Sequence, residues 1–113
     1  TNLQQGLAKA WHNFDGTGTV STRDNFNISS LTDNGTGDYT SAFSNSFGNI
    51  NYVFGGGTME TGSGGTNEST IGAHRNTSYS TTVTTSSFTM QVTTSSGSLA
   101  DRTVFISYTG DLA

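Results

Sequence analysis

The sequence predicts an all-β fold, an antiparallel β-sandwich or jelly roll of about seven or eight strands. Three observations lead to this prediction. Apolar and polar residues alternate with period two along most of the chain. Only 30% of the 113 residues are hydrophobic, yet seven Phe, four Tyr and one Trp supply large apolar side chains. Charged residues are only 11% of the chain, which argues against disorder. We therefore expect residues 1–113 to form a single β domain.

The first half of the chain predicts a series of strands. Residues 8–14 alternate and are followed by a turn at residues 15–18. In the next strand Asp24 interrupts an otherwise shared face, which predicts a bulge or a strand break there. The residues that share this face are Val20, Thr22, Phe26 and Ile28. Leu31 falls on the opposite parity, so the pleat is expected to slip before alternation resumes over residues 39–43.

The second half predicts one long loop and further strands. Ile50, Tyr52 and Phe54 indicate a strand that ends at the glycines of residues 55–57. Residues 55–69, GGGTMETGSGGTNES, are predicted to be an irregular loop, and loops of this length are usually functional or disordered. Later strands are predicted from Ile71 and Ala73, from Tyr79 and Val83, from Phe88, Met90 and Val92, and from Val104, Ile106 and Tyr108.

Composition excludes several functions. The net charge is −4, and the only basic residues are Lys9, Arg23, Arg75 and Arg102, so no basic face for nucleic acid is expected. No apolar run is long enough to insert into a membrane as a helix. The absence of cysteine excludes disulfides, thiol catalysis and thiolate zinc sites. We expect no cofactor.

The scarcity of protective residues at sheet edges indicates self-association. Natural sheets protect their edges with Lys, Pro or inward charges, but this chain has no Pro and one Lys, Lys9. Closure of the sheet, or pairing with another copy of the chain, would supply this protection. We therefore expect an oligomer.

The segment TDNGTGDYT, residues 32–40, has three possible roles. A hairpin turn fits every residue, because Asn34-Gly35 tolerates positive φ and Gly37 can occupy an adjacent bulge. A calcium site formed by Asp33, Asn34 and Asp38 is the weaker alternative, because no bidentate Glu follows. A phosphate cradle lacks the Lys and the helix that it requires.

The sequence predicts that the domain is not an enzyme. His12 and His74 have no zinc-binding spacing, and each is expected to be a surface or strand histidine. No nucleophile-elbow motif G-x-S-x-G is present. Most of the eight acidic residues fall at predicted turns, where solvation explains them better than catalysis does.

Binding is the more natural function, because aromatic rings beside amides and hydroxyls suit sugar recognition. Trp11 is the best stacking candidate, although a lone Trp in a small β domain is more often a core residue. The predicted loop and the following segment AHRNTSY hold most of the unusual polar chemistry. The candidate ligand-binding residues are Trp11, Tyr52, Met59, Glu60, Asn67, Glu68, His74, Arg75 and Tyr79.

Two segments of the sequence resemble a known class of proteins. Residues 2–47, which include KAWHNFDGTGTV and TDNGTGDYT, and residues 86–110, SSFTMQVTTSSGSLADRTVFISYTG, resemble the C-terminal region of structural proteins from tailed bacteriophages. The resemblance implies a tail-fibre-like virion appendage, a homotrimer, and contact with a host surface glycan or protein and with other virion proteins. It also implies that residues 1–113 are the C-terminal part of a longer chain. The alternative is a capsid decoration or fibre-assembly domain without receptor binding. No functional residue is transferred from the resemblance.

Overall fold

The fold is all-β, as the sequence predicts. The computed structural model describes residue 3 and residues 6–60, 69–73 and 82–113, and these contain eight antiparallel strands. The strands are β1 Ala8–Asp15, β2 Ser21–Phe26, β3 Ile28–Gly35, β4 Asp38–Phe43, β5 Val53–Met59, β6 Ser69–Ala73, β7 Ser87–Thr94 and β8 Thr103–Thr109. Sheet A has the strand order β2-β1-β8-β5, and sheet B has the order β3-β4-β7-β6.

An aromatic core joins the two sheets. Phe14 of sheet A meets Tyr39 of sheet B edge to face at 5.1 Å between ring centroids, and Phe43 meets Tyr108 at 5.0 Å. Each buried aromatic side chain contributes roughly 1.5–3 kcal/mol to folding, and edge-to-face pairs add about 1 kcal/mol. The predicted alternation thus buries one face of each central strand. Because the core is only the thin layer between the two sheets, a few large side chains are enough to fill it.

A single residue, Asn27, carries the chain from sheet A to sheet B. Its φ of 60° is left-handed, which asparagine tolerates better than most residues. Its Nδ2 donates to the carbonyls of Lys9 at 3.1 Å and Asn45 at 3.0 Å, and its Oδ1 accepts from the Asn45 backbone N–H at 2.7 Å. The change from sheet A to sheet B therefore lies at Asn27, between β2 and β3.

Bulges interrupt β2, an edge strand of sheet A, and β3, an edge strand of sheet B. Arg23 is the extra residue of β2 opposite Asn13 and Phe14, so the predicted irregularity beside Asp24 is a bulge. In β3 the register shifts between Ile28 and Ser30, which accounts for the opposite parity of Leu31. Bulges and charges on edge strands disfavour pairing with other chains.

The segment TDNGTGDYT forms the β3–β4 hairpin, but the turn differs from the predicted one. Thr36 and Gly37 are its two central residues, because Gly35 pairs with Asp38. Asn34 occupies a bulge instead, where the register shifts between Asp33 and Gly35. Gly37 has φ of 62°, which a two-residue turn of this kind assigns to glycine. The hairpin prediction is thus confirmed, with the central pair two residues later.

The prediction of an irregular loop from Gly55 is wrong for its first part. Gly55, Gly56 and Gly57 lie within β5 and pair with β8. A Cβ on Gly56 would lie 2.1 Å from the carbonyl oxygen of Phe105, so this close approach requires glycine. The strand begins at Val53, not at Ile50 as predicted.

Two other predictions fall partly on residues outside the described part of the chain. Residues 61–68 of the predicted loop lie outside it, and so does Tyr79 of the strand predicted from Tyr79 and Val83. Val83 makes an isolated bridge with Phe88 and no strand is assigned there. The β6 prediction from Ile71 and Ala73 is confirmed.

Candidate functional site

The outer faces of the two sheets differ in chemistry. In sheet B the outward residues near the centre are hydroxyl-bearing, and the Oγ1 atoms of Thr40 and Thr89 lie 2.9 Å apart. In sheet A the outer face exposes large apolar side chains. These are Trp11, Phe26, Val53, Met59 and Phe105, with exposed fractions between 36% and 62%. A cluster of exposed apolar groups on one face indicates a binding surface.

Strand parity explains why these side chains point outward. Ala10, His12 and Phe14 are buried, so the residues between them in β1 face solvent. In β8, Val104 and Ile106 are buried on either side of the exposed Phe105. The face is therefore part of the same period-two pattern that builds the core.

A depression of about 380 Å³ lies in this face, bounded by Trp11 and Phe105. Its floor includes Gly55 and Gly57, where an added Cβ would meet no atom of the described residues within 4 Å. We call the depression the glycine trough and define it by these four residues. The missing side chains of β5 leave the space, and the rings of β1 and β8 form its walls.

The register of sheet A sets the order of groups around the trough. Trp11 pairs with Ser107, which pairs with Gly55. Two residues farther along β1, Asn13 pairs with Phe105, and Phe105 pairs with Gly57. Trp11 and Phe105 are thus diagonal neighbours, for which about 7–8 Å between backbone positions is typical. Apolar rings therefore alternate with small polar groups across the face.

Two polar side chains line the trough between the rings. The Ser107 hydroxyl donates to the carbonyl oxygen of Gly55 over 3.4 Å, a long and weak contact. The Oδ1 of Asn13 is buried and accepts no hydrogen bond from the residues that the structure describes. A buried amide oxygen without a hydrogen-bond donor destabilises the folded chain. A ligand that donates a hydrogen bond to this oxygen, after the Asn13 side chain rearranges, removes that cost.

His12 lies directly beneath the face and is neutral. Its Nδ1 is 2.8 Å from the Ser41 Oγ, and its Nε2 is 2.8 Å from the Thr22 Oγ1. A neutral imidazole donates through one nitrogen and accepts through the other, so both ring nitrogens are satisfied. Burial lowers the pKa of His12 to about 4. The expectation of a strand histidine is confirmed, but His12 is not at the surface.

Charged groups lie at one end of sheet A. Arg23 pairs with Asp15 at 3.6 Å, and Arg102 pairs with Glu60 at 3.7 Å. Asp24, paired with Asn13 in the sheet register, is exposed at the edge of the face. Arg23 and Arg102 are therefore balanced by carboxylates, and none of the described residues that line the trough is charged.

The predicted ligand-binding residues divide into three groups. Trp11 and Met59 share the outer face of sheet A, and Glu60 follows at its end in the ion pair with Arg102. Tyr52 is only 6% exposed and its hydroxyl donates to the Thr84 carbonyl at 2.8 Å, so its ring belongs to the core and offers no stacking surface. The remaining candidates, Asn67, Glu68, His74, Arg75 and Tyr79, lie outside the described residues.

The hairpin side chains that formed the calcium alternative are engaged in local hydrogen bonds. Asp33 Oδ1 accepts from the Gly35 N–H at 3.1 Å. Asn34 donates its Nδ2 to Thr40 Oγ1 at 2.9 Å and to Asp38 Oδ1 at 3.3 Å, so it turns a nitrogen and not an oxygen toward that carboxylate. Within the described ranges, no three acidic or histidine side chains cluster as metal ligands.

Sequence reasoning missed Phe105, Phe26 and the trough glycines. The signal for Phe105 was its parity, since it stands between Val104 and Ile106 and must face away from them. No comparable signal existed for Gly55 and Gly57, because glycine is depleted in strands and the run resembles a loop. Their role depends on the pairing of β5 with β8.

Comparisons with family models, with curated proteins and with solved structures found no significant match to this chain. In the ranges that the structure describes, no helix has the length and apolar character needed to cross a bilayer.

Proposed function

We propose that this domain binds carbohydrate without catalysis, through the glycine trough on the outer face of sheet A. The observation that carries the proposal is the pair of exposed rings, Trp11 and Phe105, standing beside a floor from which side chains are missing. A pyranose has apolar C–H faces and a rim of hydroxyl groups. Aromatic rings stack on the former, while amide and hydroxyl groups bond to the latter.

The polar groups of the trough suit this ligand. Asn13 and Ser107 line the trough, and their uncharged side chains carry both hydrogen-bond donors and acceptors. Mixed donor and acceptor groups match the hydroxyls of a sugar, each of which donates one hydrogen bond and accepts others. Nucleophilic or acid–base chemistry is not part of the proposal, because the titratable group beneath the trough, His12, is buried and neutral.

The biological setting of the proposal rests on the resemblance of residues 2–47 and 86–110 to phage structural proteins. We assign the domain to a virion appendage of tail-fibre type, located at the virion surface, that contacts a host glycan. The same resemblance supports a homotrimer and contacts with other virion proteins. The all-β fold is compatible with this setting and does not single it out.

Filling the trough tests the proposed function. Gly57→Val and Gly55→Val add side chains at positions where the described part of the chain has no atom within 4 Å of the new Cβ, so we expect the fold to accommodate them. The added side chains occupy the space that the sugar would fill. Neither glycine has positive φ, and β-branched residues favour strands, so thermal stability is expected to be unchanged or higher. On a glycan array, we expect the binding of each variant to fall at least tenfold.

Gly72→Val is the matched control for this experiment. Gly72 is also a strand glycine facing open space, but it lies in β6 of sheet B. We expect it to keep full glycan binding. If the trough variants bind as well as the wild-type chain, or if the control loses binding to the same extent, the trough is not the binding site.

A second candidate function is assembly without a receptor. The exposed apolar side chains of sheet A, for example Phe26 and Val53, could instead be covered by another virion protein. Absence of binding to any glycan, together with stoichiometric capture of a purified virion protein that Gly57→Val abolishes, would favour this role.

A further inference from the structure

We infer that the ligand is an extended, uncharged polysaccharide segment that crosses sheet A obliquely, and not a single terminal sugar. This inference rests on the proposed function and specifies the substrate class of the same face. It follows from the arrangement of four exposed side chains, from the length of their path and from the charge around it.

Four exposed side chains, one from each strand of sheet A, form an oblique line. Phe26 of β2 pairs directly with Trp11 of β1. Phe105 of β8 is the diagonal neighbour of Trp11, since it pairs with Asn13 two positions along. Met59 of β5 is in turn the diagonal neighbour of Phe105, whose direct partner is Gly57. We call Phe26, Trp11, Phe105 and Met59 the apolar stripe.

The stripe is too long for one sugar ring. It crosses three strand spacings of about 4.8 Å each and advances four residues of about 3.3 Å each, which gives a path of about 20 Å. A single pyranose covers only one of its four positions. Side chains that repeat along a line favour a ligand whose apolar faces also repeat along a line, as they do in an extended polysaccharide.

The charge of the face selects an uncharged chain. Asp24 is exposed beside Asn13, and its Oδ1 is held by the Asn25 backbone N–H at 2.9 Å. Arg23, the nearest cation along β2, is paired with Asp15 at 3.6 Å. Among the described residues, a uronic or sialic acid unit placed over Phe26 and Trp11 would lie near the Asp24 carboxylate, while the guanidinium of Arg23 is already engaged by Asp15. Like charges at short range weaken binding.

A second copy of the chain is the poorer occupant of this face. Stable protein interfaces require close shape complementarity between the two packed surfaces. The trough would leave an unfilled depression against another flat sheet, whereas a narrow glycan follows it.

Chain length is the variable that tests the inference. The probes are cello-, chito- and malto-oligosaccharides of one to six units, titrated against the 113-residue chain by calorimetry. For the series that binds, we expect affinity to rise at least tenfold between the disaccharide and the tetrasaccharide and then to level off. Oligogalacturonates of equal length are expected to bind at least tenfold more weakly.

Variants at the ends of the stripe locate the path. Phe26→Ala and Met59→Ala should each weaken tetrasaccharide binding three- to tenfold and leave disaccharide binding unchanged. Val53→Ala is the matched control, because Val53 is 62% exposed on the same strand as Met59 but lies off the stripe. All three positions are exposed, and thermal melting checks that each variant is folded.

The outcomes separate the two proposals. Three results would overturn the inference while leaving a glycan-binding trough in place. They are an affinity that is independent of chain length, a preference for oligogalacturonate, and equal losses of affinity from Val53→Ala and Met59→Ala. If no oligosaccharide binds and the trough variants behave like wild type on the array, the proposed function fails and this inference fails with it.

Discussion

At the residue scale, His12 makes the stability of the domain depend on pH. The ring is buried between Ser41 and Thr22, and its pKa is lowered to about 4 from an ordinary value of 6.5. Between these values the unfolded chain binds a proton that the folded chain does not. Stability is therefore fully present above pH 6.5 and is lost as the pH falls toward 4.

We predict that the free energy of unfolding falls by on the order of 2 kcal/mol from pH 7 to pH 4.5. Urea denaturation across this range measures the change. His12→Gln keeps a polar side chain without the titration, so its stability should vary much less over the same range. A variant curve parallel to that of the wild type would show that His12 is not the cause.

The residue scale is also where sequence reasoning is least certain. Trp11 and His12 are neighbours in β1, and hydrophobicity alone would bury the tryptophan and expose the histidine. The structure does the opposite, because Ser41 and Thr22 satisfy both ring nitrogens of His12. Buried polar groups are tolerated when they are hydrogen-bonded, and such partners come from distant strands that a sequence does not place.

At the element scale, the β3–β4 hairpin is locked against the connection that precedes β8. The Gly37 N–H donates to Asp101 Oδ1 at 2.8 Å, and its carbonyl accepts from the Val92 N–H at 2.8 Å. The Tyr39 hydroxyl lies 2.9 Å from the same Asp101 oxygen. Burial is the main reason that the pKa of Tyr39 is raised, so this hydroxyl remains a donor at ordinary pH.

We predict that Gly37→Ala destabilises the domain much more than Gly18→Ala. The two glycines have nearly equal positive φ, 62° and 59°, so the backbone strain of about 1 kcal/mol is common to both. A Cβ on Gly37 would also lie 2.7 Å from the Val92 carbonyl oxygen, whereas Gly18 faces open space. We expect about 3 kcal/mol for Gly37→Ala. Equal losses in thermal melts would contradict this explanation.

Elements were predictable where side chains alternate and unpredictable where they are missing. β4, β7 and β8 follow from their buried alternation alone. β5 does not, because three of its seven residues are glycines and strand propensity argues against them. Its pairing with β8 places Gly56 against the Phe105 backbone. This contact joins residues that are far apart in the chain, so the local sequence does not predict it. The sequence therefore predicts a loop where the structure has the strand that forms the floor of the trough.

At the scale of the whole molecule, the sheet order could not be read from the sequence. β1 pairs with β8, and β4 with β7, across long separations in the chain. Alternation shows which face of a strand is buried but not which strand lies beside it. The composition also does not show how the sheet edges are protected: β2 and β3 carry bulges, and β5 approaches β6 through the hydrogen bond between Thr58 Oγ1 and Ser69 Oγ at 2.6 Å.

We predict a homotrimer in solution, with a mass three times 11.8 kDa. Light scattering at micromolar concentration measures it directly. Because we assign the outer face of sheet A to the ligand, Trp11→Ser should leave this mass unchanged while it weakens glycan binding. A monomeric wild-type chain would contradict the trimer. A trimer that Trp11→Ser dissociates would show that the face is a subunit interface.

The central place of β8 in sheet A also constrains how the domain is made. β8 lies between β1 and β5, so until Thr103–Thr109 has left the ribosome β5 has no partner in its sheet and β1 has only β2. Until then the nascent chain can form local hairpins such as β3–β4, but the inner face of sheet A stays uncovered. Assembly is thus expected to be late and concerted, and to depend on protection of the growing chain while it is still being translated.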